Sequence, residues 1–320
     1  MLAIILRLQP DILEKEYKDG SKFRVSESFV RRWLHRQMNW SVRKATRAAH
    51  KLPVNWEDQC EKSALRKAYS IKEYDIPDRL FINADQTQMI YAPGDKLTWA
   101  ATGSSQVSVL RAEEKRAFTL MVGVTASGVA LPFQAVYSGK SKQSLPSEDS
   151  PFYEAACDRN IEFVFSGNTT YWSTHKAMHQ YVNDILVPYI EATKRELGLP
   201  DNQKTLWSID VWAVHRSKEF RDWMHNNHPN IILDYVPGGC TGVGQPCDVG
   251  IQRPLKLSAK CSYHEDVVVE YSKQLDDGKE TLILSDKLGY LRNASVRWLV
   301  NAHIAIDDED LVKKVRFYRH

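Results

Sequence analysis

The chain has 320 residues, 43% of them apolar and 26% charged, with a formal net charge of +3. That length supplies a hydrophobic core, and the composition excludes a disordered, collagen-like or low-complexity chain. Its five cysteines include no Cys-x-x-Cys pair, which argues against a disulfide framework or a zinc ribbon and for a reducing, intracellular setting.

The opening run MLAIILRLQP is too short to span a membrane and lacks a small-residue cleavage site, so neither a membrane segment nor a secretory leader is expected. Between Lys22 and Lys51 nine Lys or Arg face one acid, Glu27, which makes this a basic module on a mildly acidic body. Ser26 can cap a helix with Phe29, Val30, Trp33 and Leu34 on one face and Arg31, Arg32 and Arg36 on others. A second short helix is expected from Ser41, carrying Arg43, Lys44, Arg47 and Lys51 until Pro53 stops it. Two basic helices around a tight turn make part of a helix-turn-helix, with these seven cations as DNA-binding candidates. A solvated helical face is the blander account of the same charges.

Further on, LFINADQT reads as a short buried strand with Asp85 at its tip. RAFTLMVGVTASGVALPFQAVYSG reads as a hairpin turning at Ala126-Ser127-Gly128. A long loop with Pro146 and Pro151 follows, and then a helix with Met178, Tyr181, Val182, Ile185, Leu186, Tyr189 and Ile190 on one face, ending at Gly198. TLWSIDVWAV is a strand containing Asp210, Ser217 caps the next helix, and IILDYV is a further strand. The glycine-rich PGGCTGVGQP leads to Asp248 at the start of a long helical stretch, and the rest reads as helices. This order gives an α/β fold, a mixed sheet flanked by helices as in RNase H-like proteins. The expected division is a basic helical segment over residues 1–75, the sheet domain over 76–265 and a helical extension over 266–320.

Singly, each aspartate says little, because the chain holds 40 acids and most acids lie on surfaces. Asp210 stands out in LWSIDVW, where burial of a carboxylate is costly unless it is paired or bound to a cation. Asp85 also reads as a satisfied turn former, and Asp248 equally as a helix N-cap. The glycine-rich loop lacks the Lys-Ser/Thr ending of a phosphate-binding loop, so no nucleotide cofactor is expected.

Beyond these residues the chain resembles DDE superfamily endonucleases of the pogo/Tigger, centromere-protein-B-like group. The resemblance rests on NADQT (residues 83–87), SIDVWAVHRS (208–217) and VPGGCTGVGQPCDVGIQRPLK (236–256), supported by EKRAFTLMVGVTASG, TYWSTH and NWSVRKATRAAHKLP. It implies Asp85, Asp210 and Asp248 as catalytic and metal-holding carboxylates, with 37 residues between the last two. It also implies Mg²⁺ or Mn²⁺ as cofactor, DNA as partner, a nuclear location and room for a homodimer. His215 and Gln245 are expected to position the acids or the DNA, although a packed core histidine is an equal account of His215. Two departures stand out. Cys247 takes the place of the family's leucine before the third acid, and only part of the family's tandem helix-turn-helix precedes Asp85, so a shortened amino end is expected. An Mg²⁺-dependent nuclease is therefore one expectation, and a decayed or domesticated transposase that binds nucleic acid without cutting it is the alternative. A third is an interaction module built on Trp33, Trp40 and Trp56.

Overall fold

A computed structural model describes residues 7, 11–44, 52–91, 97–101, 116–278, 285 and 287–314. In chain order its elements are α1 (Asp11–Glu14), α2 (Glu27–Met38), β1 (Trp40–Lys44), α3 (Trp56–Glu73), β2 (Phe81–Ile90), β3 (Leu97–Ala101), β4 (Ala117–Thr125) and β5 (Gln134–Tyr137). They continue with α4 (Tyr153–Asp158), β6 (Glu162–Phe165), α5 (His175–Gln180), α6 (Val187–Leu197), β7 (Thr205–Ile209), α7 (Ala213–Arg216), α8 (Lys218–Asn227) and β8 (Ile231–Tyr235). The last are α9 (Thr241–Gly244), α10 (Gln252–Asp276), α11 (Leu288–Ile306) and α12 (Glu309–Lys314). The chain forms two compact units. One comprises residues 1–49, 92–115 and 263–286, the other 50–91, 116–262 and 287–320.

In the first unit Ser26 caps α2 as read, its hydroxyl accepting the Phe29 amide at 3.1 Å. Asn39 ends the helix in the left-handed region at φ 51°, a conformation that asparagine tolerates. The helix expected to begin at Ser41 is instead the strand β1, paired antiparallel with β3 from Trp40↔Ala101 to Lys44↔Leu97. Arg43 and Lys44 thus sit on a strand. The rest of that expected helix, with Arg47 and Lys51, lies outside the described residues.

The second unit is built on a six-stranded sheet of order β6-β5-β4-β2-β7-β8. Central β2 pairs antiparallel with β4 and parallel with β7, while β7 and β8 run parallel. The β4–β5 hairpin turns where expected, at Gly128 with φ +105°, a value that costs glycine little. This is the RNase H-like arrangement. One strand is longer than its sequence suggests, because β2 does not stop at Asp85 but continues to Ile90 opposite Ala117. The segment read as loop after Ser138 also holds α4 and the edge strand β6, which pairs parallel with β5.

Strand alternation sorts the packing into two faces. On one face Gln86 reaches Met178, and Gln134 donates to the Ala177 carbonyl at 3.1 Å, so α5 lies there. Buried Trp207 of β7 is close to Tyr181 and Phe220, which adds the helical turn Tyr181–Leu186 and α8 to that side. On the opposite face Tyr137 hydrogen-bonds Ser295 of α11 at 2.9 Å, and Lys67 of α3 lies 3.6 Å from Asp234 of β8. Both sheet faces are therefore covered, and β4 is accordingly buried along its whole length.

Candidate active site

Asn83, Asp85 and Thr87 share one face of β2, and each reaches the segment running into α10. Asn83 donates through Nδ2 to the Ser208 carbonyl of β7 at 3.0 Å, and its Oδ1 accepts the Cys247 amide at 2.9 Å. One buried side chain thereby bolts β7 and the approach to Asp248 onto the central strand. Thr87 donates to Gln252 Oε1 at 2.8 Å, while Gln252 Nε2 donates to Asp85 Oδ2. Lys256, one helical turn on, also reaches Gln252 Oε1, at 3.3 Å.

The sheet register brings the second acid alongside the first. Asn83 pairs with Ser208 across the parallel β2–β7 ladder, and two residues further along each chain stand Asp85 and Asp210. Neighbouring strands are roughly 4.8 Å apart. Asp210, read as interior to its strand, lies just past the end of β7 at Ile209, and there its carboxylate accepts from His215 Nδ1 at 2.7 Å. The His215 ring is fully buried, and the Tyr235 hydroxyl holds the His215 carbonyl at 2.7 Å. The histidine is thus packed in the core and also orients the acid.

Asp248 sits in the π-helical turn Cys247–Ile251 that leads into α10, and it is hydrogen-bonded to Asp85. Burial, then the charges of Asp248 and Asp210, push the Asp85 carboxyl well above the usual aspartate range. Burial also raises Asp248, opposed by hydrogen bonds from Thr241 and Asp85 and by the charge of Lys256. Asp85 is the more deeply buried acid, so burial favours its neutral form the more strongly. Gln245 is fully buried, its amide 3.5 Å from the Ala84 carbonyl, against the strand that carries Asp85. Cys247 is buried between the Asn83 and Val122 carbonyls, each 3.7 Å from Sγ, a place that suits a small apolar side chain.

Hard carboxylate oxygens suit Mg²⁺ or Mn²⁺ better than soft metals. Asp85 and Asp248 are the two acids here whose oxygens could be offered to such an ion. Among the described residues no three His, Cys, Asp or Glu side chains gather so that they could hold one metal ion, and Asp210 is engaged by His215. Sequence reasoning missed Asn83, Thr87 and Gln252. A polar residue at every second position of a buried strand was the available signal for the first two, whereas Gln252 is 167 residues from its partner Asp85.

Of the basic candidates, Arg31, Arg32 and Arg36 are exposed on α2 of the first unit, with Arg31 paired to Glu27. Arg43 and Lys44 belong to β1 of the same unit. Among the described residues no helix is long and apolar enough to cross a membrane.

Residues 115–314 match the family model described as DDE superfamily endonuclease, and the chain belongs to that family. Asp210 and Asp248 fall inside the matched stretch and Asp85 precedes it. Two curated relatives, each a Pogo transposable element with KRAB domain, come from Mus musculus and Homo sapiens. Each is 24% identical over 253 residues, which cover 75% of this chain and 36% of the relative. The chain thus spans about a third of those relatives' length. Among solved structures, a pre-cleavage Mos1 transpososome is similar at 13% identity over 92% of this chain and 72% of that one, with TM-score 0.41. The catalytic domain of Mos1 mariner transposase is similar at 11% identity over 81% and 96%, with TM-score 0.38.

Proposed function

We propose that the chain is a transposase-derived DNA endonuclease whose site comprises Asp85, Asp210 and Asp248. The observation that carries this is that Asp85 on β2, pushed up first by burial, also feels the charges of Asp248 at the entry to α10 and of Asp210 at the end of β7. A structural role gives no reason to bury an aspartate within reach of two other acids, whereas phosphodiester chemistry gives one. A divalent cation bound there would activate the attacking oxygen and stabilise the leaving oxygen. The chain's own contribution is to aim the acids. Asn83 fixes the Asp248 approach against β2 and β7, His215 holds the Asp210 carboxylate, and Gln252 holds Asp85. Arg31, Arg32, Arg36, Arg43, Lys44, Arg47 and Lys51 would bind DNA phosphates, in the nucleus.

The test is Mg²⁺-dependent nicking of supercoiled DNA by wild type and by Asp85→Ala, Asp210→Ala and Asp248→Ala. Each variant is expected to lose several kcal/mol of transition-state stabilisation, on the order of a thousandfold in rate. Equal nicking by wild type and Asp210→Ala refutes the reading. A second reading, nucleic-acid binding without catalysis, is favoured by the engagement of Asp85 by Gln252 and of Asp210 by His215. It requires salt-dependent DNA binding with no nicking by wild type in either metal.

A further inference from the structure

Beside Asp210 the second unit carries a groove that the three carboxylates do not use. It has a volume of about 360 Å³ and is lined by Val211, Arg216, Arg221 and Tyr235. Three of these four residues adjoin the Asp210–His215 pair. Val211 follows Asp210 directly and Arg216 follows His215, while Tyr235 holds the His215 carbonyl. Arg221 is oriented by its own Nε, which donates to the Ser217 carbonyl at 3.4 Å. Both arginines are exposed, and among the described residues neither has an acidic partner.

We propose that this groove holds a phosphodiester of the bound DNA strand beside the carboxylates, with the Arg216 and Arg221 guanidiniums on its phosphate oxygens. This rests on the DNA reading above. Carboxylates repel a polyanion, so a strand approaching Asp210 and Asp248 needs fixed cations close by. Guanidinium matches phosphate through paired N–H donors. The volume lies in the range of small-ligand sites, enough for a sugar and its phosphate, and the Tyr235 ring offers a flat apolar wall for the sugar or base. Among the described residues no acid lines the groove.

The test is equilibrium binding of a fluorescein-labelled DNA duplex to the full chain, without divalent metal, across a salt series. Wild type is compared with Arg216→Ala/Arg221→Ala and with Arg216→Lys/Arg221→Lys. Each phosphate contact contributes about 0.9 to the slope of log K against log salt, so the alanine pair, which removes the contact to one phosphate, is expected to flatten that slope by about 0.9 and weaken binding. The lysine pair keeps the charges and is expected to keep most of the slope. An unchanged slope and affinity in the alanine pair overturns the proposal. So does an equal loss in both pairs with a lowered melting temperature, which is the signature of a structural role. The underlying reading fails separately. Wild type that binds DNA but never nicks it refutes the endonuclease while the groove stands on its slope, and intact nicking with an unaltered slope refutes the groove alone.

Discussion

Asp85 and Asp210 leave neighbouring parallel strands at the same level, but their surroundings differ. Asp85 is 6% exposed, capped by Gln252 and in hydrogen-bond contact with Asp248. Asp210 has a side chain 28% exposed and rests on one buried imidazole. The difference lies in where the chain goes after each acid. Beyond β7 it turns immediately into α7 and returns His215 to the acid that began the turn, a local device. β2 continues past Asp85, so its carboxylate is covered from far along the chain by the turn and helix that carry Asp248 and Gln252. One side of the site is thus a pair of acids in which burial favours the neutral form, and the other is a satisfied pair more open to solvent. Their stabilities should respond oppositely to loss of the acid.

Asn83 is the sharpest way to break the contrast, because it serves both sides. Asn83→Ala strips a partner from the Ser208 carbonyl on the Asp210 side and from the Cys247 amide on the Asp248 side. Each orphaned buried group costs about 1–3 kcal/mol, so a loss of about 3 kcal/mol or more is expected in urea unfolding. A loss under about 1 kcal/mol would mean that the two sides are held by other contacts.

Next in size is the pair Asp210→Ala and Asp85→Asn. Asp210→Ala leaves buried His215 Nδ1 with only a long 3.4 Å approach to a backbone carbonyl, and it should cost about 1–2 kcal/mol. Asp85→Asn retains a group that can accept from Gln252 and donate to Asp248 without the cost of holding a carboxyl above its ordinary range, and it should stabilise by about 1 kcal/mol at the expense of function. Thermal melts of the same sign for both variants would erase the distinction.

The two sides also differed in legibility. The apolar setting LWSIDVW marked Asp210 without any knowledge of the fold, since its partner is five residues away. Asp85 was read as a strand tip because Gln86 and Gln88 look like the end of a buried run. The strand continues only because β4, some thirty residues downstream, pairs with it to Ile90↔Ala117. The same non-local pairing turned the expected basic helix at Ser41 into β1, whose partner β3 lies more than fifty residues on. Four-residue β6 has neither the length nor the alternation to announce itself. The Asp85–Asp248 contact joins residues 163 apart, and it was family resemblance that linked them.

The smallest effect is on pH dependence, and its sign follows from the buried side alone. With its folded value raised above the ordinary 3.8, Asp85 keeps a proton in the native state at pH values where the unfolded chain has released it. Unfolding then releases that proton, so stability falls as pH rises from the ordinary aspartate range until the raised folded value is passed. Glu162, which burial pushes up to about 7, contributes a loss of the same sign that is complete near neutrality. Urea unfolding across a pH series should separate them. Glu162→Gln removes the part of the decline that ends near neutrality, and Asp85→Asn removes the part assigned to the carboxylate pair. If the site takes Mg²⁺, adding the ion above neutral pH should raise the wild-type midpoint and leave Asp85→Asn unmoved, because a ligand stabilises only the state that binds it. A pH slope unchanged in Asp85→Asn would mean that Asp85 and Asp248 do not repel, and the two sides of the site would then differ in exposure alone.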